Sequence, residues 1–99
     1  MGVSLKGLLN ELLLREMVGH STFERGQYYA TNGRVLLITE TENQSITAQV
    51  QGSQLYEIKF WLKGKKLQYS CNCLFADEGA FCKHCVAVGL VLINLSSSF

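Results

Sequence analysis

The sequence predicts an α+β fold: two N-terminal helices, a four-stranded antiparallel meander, and a buried C-terminal helix entered through a cysteine-rich turn. Three observations predict it. Apolar residues recur at helical spacing near the start of the chain. From Val35 to Cys71 they fall instead in short runs and period-two alternations separated by turn residues. All four cysteines and one of the two histidines then lie within residues 71–85, directly before an apolar run.

The helices come first. Leu5, Leu8, Leu9, Leu12, Leu13 and Met17 predict an amphipathic helix over residues 4–18, with Lys6, Asn10, Glu11, Arg15 and Glu16 on its other side and Gly19 as its stop. Ser21 with Glu24 three residues on matches a capping box, so a second helix is expected over 21–31. Asn32-Gly33 suits a left-handed exit. Phe23, Tyr28 and Tyr29 supply aromatic bulk for a core, and His20 reads as a solvated or capping residue in the turn.

Four strands follow. Residues 35–39 are an apolar run. Ile46, Ala48 and Val50 alternate with Thr47 and Gln49, and Tyr56, Ile58, Phe60 and Leu62 alternate with Glu57, Lys59, Trp61 and Lys63. Leu67, Tyr69 and Cys71 alternate with Gln68 and Ser70. The breaks at Glu42-Asn43, Gly52-Ser53 and Lys63-Gly64-Lys65 are short, which implies antiparallel neighbours with one apolar face for helices to cover. A last helix over about residues 84–94 is apolar nearly all round and should be buried.

The bulk numbers fit one domain, 1–99, with a helical segment 1–33, a sheet 34–70 and a cysteine-rich segment with its helix at 71–95. A hydrophobic content of 47% against 17% charged residues excludes a disordered tail. The formal net charge is only +1, which excludes nucleic-acid binding by bulk charge alone. The charge is uneven: residues 1–58 have four Lys/Arg and six Asp/Glu, net −2, and residues 59–99 have five Lys and two acids, net +3. The longest apolar run, residues 86–93, is eight residues long, well short of the ~20 that span a bilayer. Lys6 spoils the myristoylation pattern that Met1-Gly2 would open. The chain stops soon after its last apolar run, as a piece of a longer protein would.

The cysteine-rich stretch carries the chemistry. Thiolate sulfur and imidazole nitrogen are the donors zinc prefers, and a structural zinc takes four of them in a tetrahedron. Cys71 and Cys73 have the spacing that puts two sulfurs on one side of a strand end. Cys82 and His84 stand where a helix should start, and free N–H groups there favour thiolate. Eight residues join the pairs. Closing a loop of this length costs a few kcal/mol, against roughly 10–16 kcal/mol for structural zinc in small peptides. Spacing alone admits two completions, because Cys82-Lys83-His84-Cys85 is also Cys-x-x-Cys. A disulfide framework, a redox Cys-x-x-Cys and four inert buried thiols are the rival readings. No secretory signal, and no βαβ unit before the motif, favours the first two.

Cys-x-Cys, a variable loop, then Cys82-Lys83-His84 followed by Val86-Ala87-Val88 resembles the SWIM-type zinc finger. The resemblance is strong over residues 71–90. It is weaker in Phe23-Glu24-Arg25-Gly26-Gln27-Tyr28-Tyr29 and Gly33-Arg34-Val35, which are similar to the segment preceding such fingers in bacterial proteins. The resemblance implies one structural Zn2+ on Cys71, Cys73, Cys82 and His84, with Cys85 as the alternate ligand or a small core residue beside the site. It implies DNA or a protein as partner. It also implies a place beside helicase-like ATPases or Mutator-type transposases.

An enzyme is not expected. Four good donors close a metal shell that catalysis would need open, and no His-Glu-x-x-His motif, phosphate loop or nucleophile constellation is present. Asp77 and Glu78, the carboxylates near the metal pairs, read as a solvated loop tip; in an open shell Glu78 would be the base of a zinc hydrolase. The candidate nucleic-acid contacts are Lys59, Trp61, Lys63, Lys65, Lys66 and Lys83, because a tryptophan flanked by lysines can stack a base while ammoniums meet phosphates. The competing reading packs Trp61 under a helix and leaves the lysines guarding a sheet edge. A protein-docking role would use the leucine-rich first helix or the chain end. Free thiols imply a reducing, cytoplasmic setting, with no membrane and no small-molecule substrate.

Overall fold

The computed structural model describes residues 9–40, 45–64, 66–73 and 81–96, the side chains of 95 and 96 excepted. Leu5, Leu8, the Glu42-Asn43 turn, Lys65, Asp77 and Glu78 lie outside the described residues.

The elements run α1 (Glu11–Met17), α2 (His20–Thr31), β1 (Val35–Glu40), β2 (Ile46–Gln51), β3 (Leu55–Lys63), β4 (Lys66–Cys71) and α3 (Lys83–Ser96). The strands form one antiparallel sheet in the order β1-β2-β3-β4, the meander that the short links predict. α3 packs along α2 and touches all four strands.

The sheet has one apolar face, set by its register. Ala48 pairs with Ile58, Ile46 with Phe60, Phe60 with Tyr69, and Ile58 with Cys71. Partners across a ladder share a face, so Ile46, Ala48, Val50, Ile58 and Phe60 form one buried layer. Val86, Val88 and Leu92 of α3, Leu14 of α1 and Phe23 of α2 complete the core. The helices can approach closely because Gly26 has no side chain. A Cβ there would collide with the Val86 side chain and stand 2.9 Å from the Lys83 carbonyl oxygen.

Two local expectations are corrected. A continuous helix over 4–18 does not form. Leu9 and Asn10 are not helical; Asn10 is extended and its side chain accepts the Leu13 N–H at 2.8 Å, so the described helix begins at Glu11. Leu14 is fully buried and Leu12 is 67% exposed, although Leu12 fits the apolar stripe expected of the longer helix. The capping box at Ser21 is not used. α2 begins at His20 with Gly19 as its cap, and Glu24 is held 2.9 Å from Nε2 of the exposed His20 instead. β1 forms over the expected apolar run, and Leu36 and Leu37 are exposed on it because the strand is an edge and its register shifts between Val35 and Leu37. The exit from α2 is as expected, with Asn32 as cap and Gly33 at φ +69°.

Candidate metal centre

β4 brings in the first donor. Cys71 ends that strand opposite Ile58 of β3. Asn72 then extends the pairing by one residue: its side-chain oxygen accepts the Glu57 N–H at 2.9 Å, and its own N–H reaches the Glu57 carbonyl at 3.3 Å. This clip fixes the chain between Cys71 and Cys73, and both sulfur-bearing residues are buried.

The second pair is anchored by Phe81. Its ring lies 5.8 Å from Phe60, nearly parallel, and 4.7 Å edge-on from Tyr69. The Cys82 carbonyl accepts the Val86 N–H at 3.1 Å, which makes Cys82 the residue before the first turn of α3. Its sulfur stands at the positive end of that helix.

The donor atoms of Cys71, Cys73, Cys82 and His84 all lie within 4.8 Å of one another, and all four residues are buried. His84 Nδ1 is 3.8 Å from Cys71 Sγ and 3.7 Å from Cys82 Sγ. Tetrahedral zinc, with bonds of about 2.3 Å to sulfur and 2.0 Å to nitrogen, needs neighbouring donors roughly 3.5–3.8 Å apart. The quartet therefore fits one structural zinc. Nδ1 is the nitrogen turned to the sulfurs, so the ring proton belongs on Nε2, which is buried with no hydrogen-bond partner among the described residues. The ring is held by aromatic contacts instead: Tyr56 stacks on it 4.2 Å away at 26°, and Tyr29 lies tilted at 51°, 5.4 Å away.

Cys85 sits beside this group and outside it. It is fully buried, with its Sγ 3.7 Å from Cys82 Sγ. None of the four cysteines is in a disulfide. Hydrogen bonds from Cys71 and Cys85, against some cost of burial, hold the Cys82 thiol far below the usual thiol range. Cys71 is pushed up to about 12, chiefly by its hydrogen bond to Cys82. Cys85 is raised through its bonds to Cys71 and Cys82 and by burial. Cys82 is the ready thiolate and Cys85 a thiol that supports it.

The candidate nucleic-acid residues fall into two places. Lys59, Trp61 and Lys63 share the sheet face opposite Phe60, and Lys66 joins them by pairing with Lys63. Lys59 Nζ stands 5.7 Å over the Trp61 ring. Lys83 is apart from them, at the start of α3, with its Nζ 5.8 Å over Tyr29. Sequence reasoning missed three supporting residues. Tyr29 and Tyr56 read as core bulk, and only the fold shows that they bracket His84. Asn72 lies between two cysteines, where its side chain gave no signal of the clip to β3.

No curated protein and no solved structure matches the chain. Residues 54–92 match the family model of the SWIM zinc finger, and the Cys71, Cys73, Cys82 and His84 cluster within that segment makes this domain a zinc-binding module.

Proposed function

We propose that this zinc-binding module is a non-catalytic nucleic-acid-binding domain. It works in a reducing, cytoplasmic compartment as an accessory part of a larger helicase-like or transposase-like protein. One observation carries the nucleic-acid reading. Lys59, Lys63 and Lys66 surround the half-buried Trp61 on the sheet face that α3 does not cover. A ring among ammonium groups offers a stacking surface and phosphate contacts together. The non-catalytic reading rests on the metal site, whose four protein donors fill a tetrahedron and leave no position for substrate.

A second reading is favoured by a different observation. Leu36 and Leu37 are exposed on β1, an edge strand. Such an edge can take a strand from another protein. A salt titration against an oligonucleotide separates the two. Three lysine–phosphate contacts with a single strand give a log-affinity slope against log salt of about −2. No oligonucleotide binding at low salt would reject the nucleic-acid reading in favour of the edge strand. No helix of the described residues is long and apolar enough to cross a membrane.

A further inference from the structure

A second basic and aromatic surface lies away from the sheet lysines. Tyr28 and Tyr29 stand side by side on α2, with ring centroids 6.0 Å apart at 76°. Two clefts meet at this pair. One, of about 180 Å³, is lined by Arg25, Tyr28, Tyr29 and Lys83. The other, of about 170 Å³, shares both tyrosines and adds Arg34 and Gly52. Among the described residues no acidic side chain lines either cleft. Among the described residues none of Arg25, Arg34 and Lys83 is in an ion pair. Tyr28 is 58% exposed.

This arrangement has a specific chemistry. Three cations without an ion-pair partner among the described residues line the two clefts on either side of an exposed tyrosine. Guanidinium groups grip phosphate oxygens in pairs, and a tyrosine ring accepts a stacked base. We infer that the Tyr28–Tyr29 cleft holds unpaired nucleotides of a single strand, with a base on Tyr28 and the adjoining phosphates on Arg25, Arg34 and Lys83. The inference rests on the nucleic-acid reading above but not on the sheet face that carries it.

The metal corner forms one wall of this cleft. Lys83 lies between two donors, Cys82 and His84, and Tyr29 packs against the His84 ring at 5.4 Å. A metal held by Cys82 and His84 would fix the backbone on both sides of Lys83, whose Nζ stands 5.8 Å over Tyr29.

The test is fluorescence anisotropy with labelled oligo(dT), read across a salt series. The intact chain is compared with Arg25→Gln/Arg34→Gln, Tyr28→Ala and Lys59→Gln/Lys63→Gln. These side chains are exposed, so retained zinc reports that each variant folds. The arginine pair should flatten the salt slope by about 1.4, the share of two phosphate contacts on a single strand. Tyr28→Ala should weaken binding roughly 5- to 150-fold with zinc retained, the range of one lost stacking contact. If both cleft variants bind like the parent while the sheet pair weakens, this inference is overturned and the sheet-face reading stands. If the cleft variants weaken and the sheet pair does not, the inference holds and the sheet face loses its role. If the parent chain does not bind oligo(dT), both are overturned, and the surface belongs to a protein partner.

Discussion

The helix–sheet core and the metal corner share one element, α3, and are held by different physics. In the core, stabilisation is spread thinly. Ile46, Val50, Ile58, Phe60, Val88 and Leu92 are each almost fully buried, and each contributes on the order of 1.5–3 kcal/mol. Losing one leaves the others. In the corner, stabilisation is concentrated in four donor atoms within 4.8 Å of one another. Losing one breaks the site. The first turn of α3 belongs to both regions: His84 faces the sulfurs, and Val86 packs at Gly26. A small domain can thus place its metal corner at the end of a helix that is already seated on the core, with Phe81 packed on Phe60 joining the two regions.

Substitutions can break or sharpen that contrast. The largest effect is expected at the donors. Cys82→Ala and His84→Ala should reduce zinc from one per chain to none, since structural zinc supplies roughly 10–16 kcal/mol of binding that depends on the complete set. Cys85→Ala should keep its zinc and lose about 1 kcal/mol of stability, because Cys85 is a packed thiol beside the group. Cobalt substitution counts the sulfurs. Thiolate charge-transfer intensity should correspond to three, and a value for four would transfer His84's place to Cys85.

Next in size is Gly26→Ala, which forces α2 away from Val86 and the Lys83 carbonyl. Overpacking of this kind costs about 1–3 kcal/mol. Chemical denaturation should show that loss while metal analysis still finds one zinc per chain. Zinc loss as complete as that of His84→Ala would erase the distinction between core and corner.

Asn72→Ala removes the side-chain half of the clip onto Glu57 and leaves every donor in place. Zinc affinity should fall about tenfold, as it does when groups that orient metal ligands are lost. A competition titration with a chromophoric chelator measures it.

The smallest effect is the pH dependence of the chelated protein. Cys82 is lowered on folding, so its contribution is present above the unfolded value of 9.0 and is lost as pH falls. Cys71 is raised from 9.0 to about 12, so its contribution is full below 9.0 and is lost as pH rises towards 12. The chelated fold should therefore be most stable near pH 9 and weaken on both sides. The zinc-loaded protein should show its main loss in acid, where protons compete for thiolate and imidazole. Thermal melts across pH, with and without chelator, distinguish the two profiles.

How much of this was legible in the sequence depended on whether the signal was periodic. The sheet was readable because Ile46, Ala48, Val50, Ile58 and Phe60 alternate strictly, and register follows from that alternation. The metal quartet was readable as a cluster of donors, although spacing alone left His84 and Cys85 as alternatives. The burial of Leu14 in place of Leu12 was hidden, because apolar spacing does not reveal that the cap at Asn10 starts the helix at Glu11. The exposure of Leu36 and Leu37 was hidden because a run of apolar residues does not show whether its strand is an edge. The Tyr28–Tyr29 cleft was hidden for another reason. Arg25 and Lys83 are distant in sequence, and only the packing of α3 on α2 brings them together.

Hydrogen exchange with and without chelator, read residue by residue, tests the central claim most directly. The claim is that zinc holds the corner while apolar packing holds the rest. Chelation should strip protection from residues 71–73 and 81–86. It should leave β2, β3 and residues 88–94 of α3 protected, since Gly89 still packs against Leu14 and Leu92 stays buried in the core. Uniform loss of protection across the sheet and helices would show that the metal holds the whole domain, and unchanged protection around Cys73 and Cys82 would show that it holds nothing.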